Sequence, residues 1–316
     1  MKLAILGGTR FIGHAAAAHA AARGHEVFVL HRGKHPSELS AVQPIAVDRA
    51  DPSALCETLA RLGADVLIDT RAMTRLDAEV TALAIKVLTL PAVVLSSLDV
   101  YAQFGRLNGL PAPEPEALVT EDAPLTIPFP FRGVGGHDAG PDYDKKEVES
   151  VIREAVSEGA PGATILRLPA VYGARDYRRR FGGIVDAFDR GETTLPCAGG
   201  ARFRLAHAHV RDVAHAMVLA AERRPEGLQV FNVAEASVPP MRERAEAFAR
   251  VMGVHFTWVE TGAPLPPELA TLGILPNDFV TDTSRIRASL GFHEVTTEEE
   301  RLTDTIAWLR ASRPPA

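Results

Sequence analysis

Strand-like and helix-like segments alternate strictly over the first hundred residues, and that rhythm limits the fold more than any single motif. "KLAIL" (2–6), "EVFVLH" (26–31), "PIAVD" (44–48), "ADVLID" (64–69) and "AVVLSS" (92–97) read as strands, and 11–23, 52–62 and 75–88 as helices. The strands are near-continuous apolar runs, as expected where helices cover both sheet faces. Such alternation predicts a parallel, doubly wound α/β sheet with right-handed crossovers. Residues 102–142 break the pattern with many prolines and glycines. A loop of that length is usually functional or mobile. Beyond it come a helix at 143–158, the strand "ATILRL" (163–168), a helix at 179–190 and a strand near 203–210. A helix at 211–223, the strand "LQVFNV" (228–233) and a last helix at 297–311 complete the pattern.

The chain has 316 residues, 46% of them hydrophobic, and a net charge of −6. That length supports a large core. The acidic balance argues against a dedicated nucleic-acid binder, which shows a basic excess. Cys56 and Cys197 stand far apart, which suits thiols of a reducing compartment rather than a disulfide framework or zinc site. The first strand begins at Lys2, leaving no room for a signal peptide, and no apolar run reaches the ~18–20 residues of a membrane span. The expectation is a cytoplasmic protein that engages neither membrane nor nucleic acid. His207 and His209 share one side of a strand but lack a third ligand at readable spacing, so no metal is expected.

Gly7 and Gly8 follow the first strand, and Gly13 lies early in the helix. Glycine serves where the backbone turns sharply or must approach a pyrophosphate, and the helix N-terminus offers free N–H groups to the anion. The turn Gly7-Gly8-Thr9-Arg10-Phe11-Ile12-Gly13 therefore predicts a dinucleotide site, with Gly7, Thr9, Arg10, Phe11 and Ile12 against the cofactor. Arg10 stands where such turns usually carry another glycine. An NAD site usually ends its second strand with an acid that binds the ribose 2′-hydroxyl. Here 27–34 read "VFVLHRGK", with no acid. Arg32 and Lys34 stand where a 2′-phosphate would sit, and Arg10 could reach the same group, since arginine suits a phosphate dianion. NADP is thus preferred over NAD; the alternative is that these are solvated surface charges.

"GGTRFIG", "VDRAD" (47–51), "LSSLDVY" (95–101), "LRLPAVYG" (166–173), "HVRDVAHA" (209–216) and "EEERLTDTIAWL" follow one another in an order that resembles the extended short-chain dehydrogenase/reductases, the NAD(P)-dependent epimerase/dehydratase group. The likeness runs nearly the whole chain. Its arginine-bearing turn looks like an atypical branch, which also holds chloroplast RNA-associated proteins. The resemblance implies a dinucleotide-binding Rossmann domain at 1–173, its sheet completed by about 203–235. A smaller substrate lobe at 174–202 and 236–316 would lie over the carboxyl edge of the sheet, where open α/β sheets bind ligands. It also implies Asp48 and Arg49 near the adenine, and backbone at Thr70, Arg71 and Ala72 along the cofactor. Pro169 and Val171 would belong to the strand and loop closing over the nicotinamide, and Ser97 would be the active-site serine. A homodimer is expected on the same ground.

The family's tyrosine stands four residues before a lysine that binds the nicotinamide ribose and lowers the phenol pKa. In "GPDYDKKEVESVIREAV" that spacing fails, because Glu147 lies four residues after Tyr143. Helix phase puts Lys145 near the buried stripe of Val148, Val151, Ile152 and Ala155 and leaves Lys146 solvated. Lys145 is therefore the cofactor lysine. Asp144 and Glu147 have capping-box-like spacing, which puts Tyr143 just before the helix. Tyr143 is then the candidate proton-transfer group, against a tyrosine that merely packs under the loop. Family dehydratases carry Thr-Asp-Glu where this chain has Ser97-Leu98-Asp99, so a full acid–base pair is missing and Asp99 is left as a single substrate-side acid or base. Arg71 would meet an anionic substrate, the cofactor phosphates or a nearby acid. "YRRRF" (177–181) and "RFRL" (202–205) supply Arg178 and Arg204 as candidate substrate anion contacts, and Phe129, Phe131 and His137 as candidate walls come from the long loop. The implied function is an NAD(P)-dependent oxidoreductase or epimerase/dehydratase-like enzyme. It would act on a hydroxyl or keto group of a polar, sugar-nucleotide-like substrate. The alternative is a catalytically weak NADP-binding sensor or an RNA-associated scaffold.

Overall fold

The computed structural model describes residues 1–33, 37–127 and 140–313. Lys34, Phe129, Phe131 and His137 lie outside them. In chain order the first half gives β1 (Lys2–Leu6), α1 (Phe11–Ala22), β2 (Glu26–His31), β3 (Gln43–Ala46), α2 (Pro52–Leu62), β4 (Val66–Asp69), α3 (Arg75–Val87) and β5 (Ala92–Ser97). Then follow α4 (Ala102–Leu107), α5 (Lys145–Ser157), β6 (Gly162–Leu168), β7 (Ala170–Tyr172), α6 (Gly182–Asp189), β8 (Thr194–Cys197), β9 (His207–His209) and α7 (Val210–Glu222). The chain ends with β10 (Gly227–Asn232), α8 (Met241–Met252), β11 (Thr257–Glu260), α9 (Ser284–Leu290) and α10 (Glu298–Ala311).

Seven strands form one parallel sheet in the order β10-β6-β5-β4-β1-β2-β3. Alternate residues of its strands feed two cores. Leu3, Ile5, Val27 and Val29 pack with α1 and α7, whereas Ala4, Leu6, Phe28 and Leu30 pack with α2, α3 and α5. That two-sided burial explains why the strands read as unbroken apolar runs. The alanines of α1 that are buried, Ala16, Ala17 and Ala20, let it lie close against α7. Helix starts are set locally. Asp51 accepts from Ala54 N before Pro52, and Thr74 with Asp77 forms a complete capping box.

A third core joins α6, α8 and α10 through Ile184, Phe188, Phe248, Leu302 and Ile306, beside the two-stranded parallel sheet of β8 and β11. The strand expected near 203–210 is reduced to β9, which pairs with β7 rather than with the large sheet. The helix expected from 179 begins only at Gly182, because Arg179 and Phe181 take left-handed backbone angles of φ 50 and 66. The long loop is also less irregular than its composition suggests. It opens with α4, Tyr101 bridges Leu125, and Val119 bridges Thr281. No helix among the described residues is long and apolar enough to cross a membrane.

Candidate active site

The turn after β1 is built for close approach. Gly7 has φ +89, and a Cβ there would fall 2.3 Å from Arg71 Cγ and 2.5 Å from Thr70 Oγ1. A Cβ on Gly13 would fall 2.3 Å from the Gly7 carbonyl oxygen. Both positions therefore need glycine. Arg10 is the extended N-cap of α1, its side chain makes no cap hydrogen bond, and the first turn holds no acid. The amino end of α1 is thus left to an external anion.

A cavity of about 520 Å³ opens at that helix end. Gly7, Thr9, Arg10, Phe11, Ile12, Arg32, Arg49, Thr70 and Arg71 line it, together with Met73, Asp77 and Tyr177. Arg10, Arg32 and Arg71 are exposed into it. Arg71 lays its stem over Gly7, and no carboxylate pairs with it among the described residues. The Arg10 guanidinium lies 5.5 Å from the Tyr177 ring centroid, and Phe11 meets the same ring edge-on at 6.2 Å.

Arg49 has a different task. It donates to Asp69 at 2.8 and 3.3 Å and to Thr81 Oγ1 at 3.0 Å, and its Nε stands 3.2 Å from Asp77. Burial alone would raise the Asp69 pKa, but the Arg49 charge, the hydrogen bonds from Arg49 and Thr81 and the Arg71 amide hold it below the ordinary carboxylate value. The one acid among the described residues of the cavity wall, Asp77, is already paired with Arg49. Asp48 is exposed and outside the walls; its carboxylate accepts the Ala50 amide at 3.0 Å. Pro169 and Val171 also lie outside the cavity, where the Val171 carbonyl accepts from Arg180.

The three residues with expected catalytic roles gather at the end of β5 and the start of α5, behind the cavity rather than on its wall. Lys145 is buried. Its ammonium donates to the carbonyls of Ala72 at 2.6 Å and Leu95 at 2.9 Å. Ala72 sits between the wall residues Arg71 and Met73, so one residue separates Lys145 from the cavity. Burial lowers its pKa to about 8, opposed by the charges of Asp69 and Asp99. Lys146 is not simply solvated, since it donates to the Thr126 carbonyl. Asp144 caps α5 by accepting from Glu147 N at 3.1 Å, which leaves Tyr143 just before the helix. The Tyr143 hydroxyl donates to Asp99 Oδ2 at 2.8 Å. Ser97 Oγ accepts the Asp99 amide at 3.3 Å. Arg178 and Arg204 do not line the cavity. The Arg178 guanidinium lies 6.0 Å from the Tyr177 ring, and the Arg204 amide donates to Asp278.

Beneath this cluster runs a buried polar network that no local motif announces. Arg167 grips Glu149 through two hydrogen bonds of 2.9 and 2.7 Å, and Ser96 donates to the same carboxylate at 2.6 Å. Arg167 also donates to the Tyr101 hydroxyl, which donates in turn to Asn232. Tyr177 has no signal in the sequence beyond its place in the run "YRRRF".

Residues 3–86 and 142–234 match the NAD dependent epimerase/dehydratase family. The chain belongs to that family. The seven-stranded parallel sheet and the glycine turn agree with that membership, and the chain is an enzyme of the epimerase/dehydratase type. A 2′-dehydrokanamycin reductase of Streptomyces kanamyceticus is 27% identical over 90% of this chain and 75% of its own length. Among solved structures, MoeE5 in complex with UDP-glucuronic acid and NAD superposes with a TM-score of 0.73 at 20% identity, covering 99% of this chain and 100% of the other. The dTDP-glucose 4,6-dehydratase of Bacillus anthracis, in complex with NAD, has a TM-score of 0.73 at 14% identity, covering 99% and 97%. Family membership favours the enzyme over the sensor or RNA-associated scaffold.

Proposed function

We propose that this family member is an NADP(H)-dependent oxidoreductase that interconverts a hydroxyl and a keto group on a polar, sugar-like substrate. One observation carries the cofactor half. The uncapped amino end of α1 opens into a cavity with three exposed arginines and, among the described residues, no unpaired acid. Such a wall suits a diphosphate plus a further phosphate better than a diphosphate alone. Gly7 and Gly13 leave room for the backbone to reach the diphosphate, Arg10 and Arg71 flank it, and Arg32 at the end of β2 meets the 2′-phosphate. The keto–hydroxyl chemistry is supported by the reductase relative and by the sugar nucleotide in the MoeE5 complex.

When bound, the dinucleotide supplies or accepts the hydride. The chain's own residues do the rest. Ser97 polarises the substrate oxygen, Tyr143 exchanges a proton with it at Oη, and Lys145 holds the ribose side once its ammonium turns from the Ala72 carbonyl. The lobe formed by 174–202 and 236–316 shapes the substrate side, with Arg178 and Arg204 for an anionic group. Pairing of two chains through α3 is part of this reading, because Leu76, Leu83 and Val87 stand exposed on it. A cytoplasmic setting agrees with the two unpaired cysteines.

Calorimetric titration with NADPH and NADH tests the proposal. Wild type binds NADPH more tightly. Arg32→Ala lowers NADPH affinity roughly tenfold or more, the worth of a hydrogen bond to a charged group, and leaves NADH unchanged. Equal losses for both dinucleotides, or no binding of either, overturn it.

A further inference from the structure

Asp99 is a buried acid that the proposed reaction steps leave unused. It lies in the turn after β5 and is 5% exposed. Its Oδ2 accepts the Tyr143 hydroxyl at 2.8 Å, while Oδ1 is buried and has no hydrogen-bond partner among the described residues. A buried carboxylate oxygen without a donor is costly as an anion and becomes cheap once it carries a proton. The charged groups that face the pair are Lys145 and Glu149 of α5 and Arg178 of the stretch after β7. Burial outweighs the hydrogen bonds from Tyr143 and Ser97 and the Lys145 charge, and pushes the Asp99 carboxyl up to about 6. Tyr143 is held well above the ordinary phenol value, by burial first and then by the Asp99 charge. Lys145, whose counterpart activates tyrosine in the family pattern, instead donates to two backbone carbonyls.

We propose that Asp99 is a positioning residue that stores the proton Tyr143 delivers. In the reductive direction the carbonyl carbon takes up hydride and the carbonyl oxygen takes the proton from Tyr143 Oη. The Asp99 carboxyl then gives its proton to Tyr143 Oη and is left as a carboxylate, which recovers a proton from solvent. One hydride and one proton are added, and the ketone becomes a carbinol. Oxidation runs the same steps backwards. This inference rests on the keto–hydroxyl reading above.

The test uses wild type, Asp99→Asn and Tyr143→Phe. Near-ultraviolet absorbance follows phenol ionisation with pH, and the step missing in Tyr143→Phe belongs to Tyr143. In Asp99→Asn that step moves down by about one pH unit or more, a tenfold change in the ionisation constant. An unmoved step overturns the coupling. On keto sugars with NADPH, wild-type turnover falls as pH rises through the Asp99 transition, and in Asp99→Asn that limb is lost while dinucleotide affinity is retained. A limb that persists in Asp99→Asn overturns the proton store. If wild type turns over no keto or hydroxy sugar, the functional reading fails instead, and the phenol titration alone decides the Asp99–Tyr143 coupling.

Discussion

Replacing Glu149 by Gln should strike the fold harder than any change in the cavity. The Glu149 and Arg167 side chains are each only 3% exposed, and the two hydrogen bonds between them leave little room for water. Glutamine keeps the shape and removes the charge. Arg167 is then left as a buried cation, with an amide N–H facing one of its own donors. Burial opposes the charge on Arg167, but the Glu149 hydrogen bonds and charge outweigh it and hold its pKa above normal, so it cannot escape by losing a proton. Removing one partner of a buried pair costs about 3–5 kcal/mol. Against a total stability of about 5–15 kcal/mol that is a large fraction. Urea unfolding followed by circular dichroism should show a lower midpoint with an unchanged slope. The double variant Glu149→Gln/Arg167→Met should recover part of the loss, since an apolar pair of similar volume is often neutral or better. A loss below about 1 kcal/mol in the single variant, the range of exposed pairs, would refute the reasoning by showing that the pair is solvated.

Gly13→Ala places a Cβ 2.3 Å from the Gly7 carbonyl oxygen; the overpacked turn should lose about 1–3 kcal/mol in thermal unfolding, and wild-type dinucleotide affinity in calorimetry would contradict this. The folded-state pKa of Asp99 is raised from 3.8 to about 6, so its contribution is whole below 3.8 and is lost as pH rises through 6. Wild type should therefore lose about 3 kcal/mol across that window relative to Asp99→Asn, measured by denaturant titration at several pH values. Leu76, Leu83 and Val87 are 71%, 45% and 63% exposed on α3, and Leu83→Glu should shift a sedimenting dimer to monomer without changing the circular dichroism.

The large sheet was legible because both of its faces are buried, so its strands announce themselves without any tertiary information. The two small sheets were not. β7 and β9 are three residues each, and their pairing is set by the fold around them rather than by propensity. Helix α8 was readable and was missed. Met241, Ala245, Phe248 and Ala249 repeat at helical spacing between Pro240 and Gly253, amid charges that draw attention from the stripe. At the site, the glycine turn and the exposed Arg32 follow from local chemistry. Arg49 does not, because its partner Asp69 arrives from the next strand over a helix. The bond between Tyr143 and Asp99 joins residues from opposite sides of the long loop, and no periodicity encodes it.

The stacking of Arg10 on Tyr177 carries a consequence for descent and for engineering. In a nucleotide turn made only of small residues, that segment is self-contained and can be transplanted as a cassette. Here its middle residue is wedded to an aromatic from the far side of the chain. A chimaera that borrows the first thirty residues from a glycine-bearing cousin would leave Tyr177 widowed. In natural lineages, positions 10 and 177 should change hands together.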